Sequence, residues 1–269
     1  MERRWNSLLY AGFVLTMLAF SSYFLFFARF PVTRDFPWLN LLLFVLALGM
    51  LGAGLGRAYR QGERYRGRVA GPVLAVLSVA IAGLFLFYNF SFSRRMPAAK
   101  GAPRVGQKAP DFTLPDSNGT PLTLSRLWGP TDSGASSGPK DRWVLLVFYR
   151  GYWRPFCNSE LRSFQQRLGE FTARGVQIVA ISVDPPQVTL EHCRKQGYTY
   201  TFLSDAKAEA IRRYDLLHER GGPDGDIARP GEFLVDGSGT IRWVNLTEDY
   251  RVRPRPEEIL KILDGLGRR

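Results

Sequence analysis

The side chains able to do chemistry in this chain are few. Two cysteines, Cys157 and Cys193, stand 36 positions apart, and the only histidines are His192 and His218. A thiol acts as a nucleophile in its thiolate form, which attacks O–O or S–S bonds. Cys157 lies in Trp153-Arg-Pro-Phe-Cys157-Asn-Ser-Glu160, after an apolar run and before a helical pattern. Backbone N–H groups at a helix start favour an anion, so a thiol there tends to ionise. Arg154, three residues earlier, adds a second positive charge and is predicted to stabilise the thiolate. The other reading of Cys157 is a buried structural cysteine, and the residues leave both open. Cys193, in Leu190-Glu-His-Cys-Arg-Lys, is either a packed helix residue or a second thiol. A disulfide between the two needs Cα atoms within about 7 Å. His192 and His218 read as surface or capping histidines. A zinc site is set aside because no ligand pair has the usual spacing, and no metal or cofactor is expected.

Several elements must position Cys157. Val144 to Tyr149 has the length and β-branched or aromatic content of a buried strand. Gly151 and Pro155 mark a tight turn. Leu161, Phe164, Leu168 and Phe171 then repeat at helical spacing. Upstream, Phe112-Thr-Leu and Leu122-Thr-Leu flank an Asn-Gly turn and read as a hairpin. Gly129 to Asp141 reads as a surface loop. Val176 to Val183 is a second buried strand closed by Asp184-Pro-Pro, followed by a helix from Val188 to Gln196 that Gly197 ends. Thr201-Phe-Leu precedes Ser204-Asp205, a cap for a helix from Ala206 to Tyr214. Glu232-Phe-Leu-Val-Asp and Thr240-Ile-Arg-Trp-Val are strands, and Pro256 opens a last helix. Asp184, Asp205 and Asp236 sit at strand ends and turns and read as caps. The order predicts an α/β fold, a central mixed sheet flanked by helices, with Cys157 where a strand feeds a helix and ligands tend to sit.

The charge is unevenly spread. Of 269 residues, 36 are Lys or Arg and 24 Asp or Glu, a formal balance of +12. Residues 1–100 carry 12 basic against 3 acidic side chains, whereas residues 101–269 carry 24 against 21. The excess lies among apolar segments, which argues against a nucleic-acid surface and for a membrane protein. Uncharged runs at about 7–28, 36–56 and 69–90 each approach the ~20 residues of a transmembrane helix. Residues 1–90 are therefore expected to form a membrane region facing a lipid bilayer. Residues 91–107 read as a tether and 108–269 as a separate domain. The first run is too long for a signal-peptide core and lacks an Ala-x-Ala site, so it is read as retained. Arg57, Arg60, Arg64, Arg66 and Arg68 keep the second loop cytoplasmic, which sends everything after Phe90 to the extracytoplasmic side.

Four motifs in order then carry a resemblance. They are Gly106-x-x-Ala-Pro-Asp-Phe-x-Leu; Phe148-Tyr-Arg-Gly-x-Trp-x-Pro-Phe-Cys-x-x-Glu-Leu; Phe202-Leu-Ser-Asp; and Arg229-Pro-x-x-Phe-Leu-Val-Asp-x-x-Gly. Together they resemble the thioredoxin-fold redoxins of the peroxiredoxin (alkyl hydroperoxide reductase/thiol-specific antioxidant) type. The resemblance implies a thioredoxin-like domain, a peroxide or disulfide substrate, and an external thiol reductant. It implies Cys157 as the attacking thiol with Glu160 supporting it, and Cys193 as a candidate resolving thiol. Pro230 falls where thioredoxin folds carry a cis-proline, a position where many peroxiredoxins have an arginine; Arg229 is its neighbour. Two departures stand out. Arg154 replaces the first cysteine of the Trp-Cys-Pro-x-Cys motif, which excludes two-cysteine exchange there. The threonine that assists peroxide binding in peroxiredoxins is missing. A catalytically degenerate binding module tethered to the membrane is the competing expectation, and disulfide exchange through Cys157 alone is a third.

Overall fold

The computed structural model of the protein describes residues 4–128, 142–223 and 225–266. The expected loop at Gly129–Asp141 lies outside them. The chain divides into two compact units, Met1–Arg95 and Met96–Arg269.

The first unit is helical. α1 (Ser7–Leu25), a short α2 (Pro31–Asp35), α3 (Trp38–Arg60) and α4 (Ala70–Phe90) follow in order. Three of its helices are long and apolar enough to cross a membrane. α1 and α3 approach closely at Gly12, where a Cβ would stand 2.8 Å from Leu51 Cγ and 2.9 Å from the Ala47 carbonyl. Asn40 Nδ2 donates to the Ala19 carbonyl at 2.7 Å, and Asn6 Nδ2 to that of Gly54 at 2.7 Å. Small residues and buried amides of this kind join helices where apolar contact alone gives no preference over lipid.

In the second unit, β1 (Thr113–Pro115) and β2 (Pro121–Thr123) form the expected hairpin. Asp116 Oδ1 closes its turn by accepting the Asn118 and Thr120 N–H groups at 2.8 Å each. β3 (Trp143–Phe148), α5 (Pro155–Gln166), α6 (Leu168–Thr172), β4 (Val176–Ser182), α7 (Pro186–Gln196) and β5 (Thr201–Ser204) follow. Then come α8 (Glu209–Arg213), β6 (Leu217–Gly222), β7 (Gly225–Ala228), β8 (Gly231–Asp236), β9 (Ile241–Asn245) and α9 (Pro256–Leu266). The central sheet is mixed, in the order β5-β4-β3-β8-β9. β3 and β5 run parallel to β4, while β8 is antiparallel to β3 and β9.

β3 is continuously apolar because both its faces are covered. Val144, Leu146 and Phe148 join one core with Val179, Ile181 and Phe233. Leu145 and Val147 join the other, beneath Phe164 of α5 and Ile259 and Leu263 of α9. Two elements differ from expectation. The helix expected over Ala206–Tyr214 shortens to Glu209–Arg213, because Ala208 turns through φ 54° first. Asp205 caps the shortened helix, accepting the Glu209 and Ile211 N–H groups at 2.7 and 2.8 Å. The β6–β7 hairpin was not foreseen; its Leu-His-Glu-Arg-Gly-Gly strand has no apolar alternation to reveal it.

Candidate active site

Cys157 is the third residue of α5, immediately beyond the central strand β3. The turn between them depends on Gly151, whose φ of +145° suits glycine. A Cβ there would also stand 2.9 Å from Trp153 Nε1 and 3.4 Å from Asp184 Oδ1. Asp184 Oδ2 holds the same turn from the end of β4, accepting the Tyr152 N–H at 3.0 Å and the Ser182 hydroxyl at 2.9 Å. Burial raises the Asp184 carboxyl above its ordinary value, against those two hydrogen bonds.

The Cys157 sulfur is fully buried, in a cluster with Tyr149, Leu161, Ala180, Cys193, Tyr198 and Phe202. Among the described residues one polar group reaches it: Arg253 Nη2 donates to Sγ at 3.7 Å. Arg253 is itself buried, and its other nitrogens fix its direction. Nε donates to Glu160 Oε2 at 2.8 Å, and Nη1 to the Tyr250 and Val252 carbonyls at 2.7 and 2.8 Å. Although burial pulls it down, the Glu160 carboxylate and then the Cys157 sulfur hold the Arg253 guanidinium above its ordinary pKa. Cys157 and Glu160 are one helical turn apart, so thiol and carboxylate share a face and one guanidinium spans both.

A second acid lies behind Glu160. Glu232 of β8 is fully buried and accepts from Asn245 Nδ2 at 2.6 Å. Its pKa is raised well above the ordinary carboxylate range, first by burial and then by the Glu160 charge. Oε1 of each glutamate is buried without a hydrogen-bond partner among the described residues. Burial and the neighbouring Glu160 charge thus favour the protonated form of Glu232.

The other expected residues take separate positions. Arg154 caps α5, but its guanidinium lies over the Trp153 ring at 4.1 Å and donates to the Gly221 carbonyl at 3.2 Å. Arg229 is turned toward other segments, donating to the Pro97 carbonyl at 2.6 Å and the Thr247 carbonyl at 2.9 Å. Pro230 leads into β8 through a trans peptide bond. Cys193, on α7, shares the buried cluster of Cys157, and burial pushes its thiol up to about 11. His192 packs between the Tyr152 and Tyr198 rings. Sequence reasoning missed Arg253 and Glu232. Arg253 lies in a segment without periodicity. Glu232 had a signal, since an acid opening an otherwise fully buried apolar strand needs a partner.

The sequence pattern of the AhpC/TSA family matches residues 105–244, more than half of the chain. The chain belongs to the AhpC/TSA family. Relatives of this family member include "Peroxiredoxin 2" of Thermoplasma acidophilum, 31% identical over 60% of this chain and 75% of that protein. "Alkyl hydroperoxide reductase E" of Mycobacterium tuberculosis is 33% identical over 55% of this chain and 89% of that protein. Among solved structures, the peroxidoxin BcpB of Mycobacterium tuberculosis superposes with a TM-score of 0.51. It is 24% identical and covers 61% of this chain and 97% of its own. A peroxiredoxin-like protein of Aquifex aeolicus gives 0.52 at 19% identity, covering 64% and 92%. These likenesses establish the peroxiredoxin type of thioredoxin-like fold. The chain is a peroxiredoxin-type antioxidant oxidoreductase, with Cys157 at the expected strand-to-helix junction.

Proposed function

We propose that this protein reduces peroxides at a membrane, with Cys157 as its single nucleophile. The observation that carries the reading is the Arg253 guanidinium on Cys157 Sγ, a fixed donor aimed at the atom that would react. The thiolate attacks one peroxide oxygen and the O–O bond breaks. Sulfur is oxidised by two electrons to a sulfenic acid, and the departing alkoxide takes a proton and leaves as an alcohol. An external thiol then attacks the sulfenic sulfur, water leaves, and a mixed disulfide forms. A second external thiol displaces Cys157 and restores it. The raised Cys193 thiol supports assigning resolution to an outside donor, because the attacking thiol must ionise.

The three long apolar helices support anchoring in a lipid bilayer. The arginines between Arg57 and Arg68 support a cytoplasmic loop there, with the redoxin domain on the extracytoplasmic side. The full chain in a neutral detergent, given an organic hydroperoxide, should form a sulfenic acid at Cys157 that a dimedone-type probe captures. Cys157→Ser should abolish the adduct. If no peroxide yields one, the degenerate binding module is the better reading.

A further inference from the structure

Two guanidiniums from the turn that precedes Cys157 have no acid partner among the described residues. Arg150, at the end of β3, is 3% exposed, and it donates through Nη2 to the Gly221 carbonyl at 3.3 Å. Arg154 Nη2 donates to the same oxygen at 3.2 Å. Both cations flank the Tyr250 ring, at 5.1 and 5.7 Å from its centroid. One neutral carbonyl thus serves two positive charges. Among the described residues no carboxylate forms an ion pair with either. Arg150 Nε and Nη1, Arg154 Nε and His218 Nδ1 are all buried without a partner among the described residues. Buried polar groups normally have partners, so three orphaned guanidinium N–H nitrogens in one cluster point to a ligand.

The electrostatics agree. Arg150 is drawn down to about 10 by burial and then by Arg154, while the Cys157 sulfur pulls it back up. His218, across the cluster on β6, is lowered by burial and then by the same two arginines. The nearby acids are committed elsewhere: Asp184 to Tyr152 N–H and the Ser182 hydroxyl, Asp226 to Arg220 N–H and Arg212. Arg150 also lines a cavity of about 590 Å³ whose apolar wall includes Trp153, Val188 and Ile227.

We propose that Arg150 and Arg154 form an anion subsite beside Cys157 that takes the carboxylate of an organic hydroperoxide. This substrate class rests on the peroxidase reading, whereas the anion subsite itself does not. The guanidinium pair binds the carboxylate while the hydroperoxide end meets the thiolate.

The test uses two alkylating agents that differ in charge. The full chain carrying Cys193→Ser, in neutral detergent, is treated with iodoacetate or with iodoacetamide, and glutathione serves as the reference thiol. The iodoacetate-to-iodoacetamide rate ratio at Cys157 should exceed that of glutathione by about tenfold, as expected for a site that concentrates anions. It should fall as salt is added. Arg154→Gln and Arg150→Gln should each bring the ratio down toward the free-thiol value. The neutral reagent reports thiol reactivity and folding in each variant. A carboxyalkyl hydroperoxide should also be preferred over its methyl ester, through a lower KM. A ratio equal to that of glutathione overturns the subsite, as does a Cys157 that neither reagent reaches, or an Arg154→Gln variant slowed equally with both. A high ratio with no preference for the acid over its ester overturns the substrate class. Alkylation needs no peroxide, so failure to form a sulfenic acid sinks the peroxidase reading alone.

Discussion

Arg253 donates to Cys157 Sγ across 3.7 Å from a position 96 residues further along the chain. The same guanidinium forms a 2.8 Å ion pair with Glu160, and both partners are almost fully buried. One buried guanidinium thus serves two side chains at once, the Glu160 carboxylate and the Cys157 sulfur. Replacing Arg253 by Gln should slow reaction of Cys157 with a neutral hydroperoxide by ~10²-fold, the cost of losing one preorganised donor. Stopped-flow traces of sulfenic acid formation measure this. It should also destabilise the domain by about 3 kcal/mol, because Glu160 is left as an unpaired buried charge. Arg253→Lys should recover part of each loss.

Glu232 gives the fold a pH dependence whose sign is fixed by burial. Its folded pKa lies above the ordinary carboxylate value of about 4.3, so the folded chain holds this proton more tightly than the unfolded chain. The resulting stability is fully present below that ordinary value and is lost as pH rises toward the raised one. The groups facing Glu232 are Glu160, Arg253 and Asn245. Denaturant titrations across pH 4–9 should show wild-type stability falling relative to Glu232→Gln as pH rises. Parallel curves would contradict the assignment of the proton to Glu232.

The strand-to-helix turn should tolerate no side chain at Gly151. Its φ of +145° and the 2.9 Å approach to Trp153 Nε1 strain any residue with a Cβ. Gly151→Ala is expected to cost ~1–3 kcal/mol. It should also slow alkylation of Cys157, since that turn sets where α5 begins.

Cys193 should behave as an ordinary buried thiol. With its titration near 11, its alkylation in a Cys157→Ser chain should still be climbing with pH up to about 11. Cys193→Ser should keep peroxide turnover with an external thiol donor. Loss of turnover in that variant, with an intramolecular disulfide in the parent chain, would make Cys193 the resolving thiol.

The framework of the site was legible in the sequence. The Val144–Tyr149 run, the Gly151 turn and the Leu161/Phe164 face are local patterns, and they place Cys157 where the structure has it. Glu160 was legible for the same reason, being one turn away. The polar partners were not. Arg253 reaches Glu160 and Cys157 over separations of 93 and 96 residues, from a stretch with no periodic signal. Arg154 has the right charge close by in sequence, yet its guanidinium turns to the Trp153 ring and a carbonyl in the β6–β7 hairpin, and Arg253 is the one that bonds the sulfur. That hairpin could not be foreseen from hydrophobic pattern, because Leu-His-Glu-Arg-Gly-Gly has no apolar alternation.

The thiol and its cation are also separated in time. During synthesis from N- to C-terminus, Cys157 and Glu160 emerge well before Arg253, which follows β9, the last strand of the central sheet. A nascent or prematurely terminated chain therefore carries the sulfur without the group that arms it. A peptide that stops before Arg253 should therefore react with peroxide at Cys157 only as an ordinary thiol does.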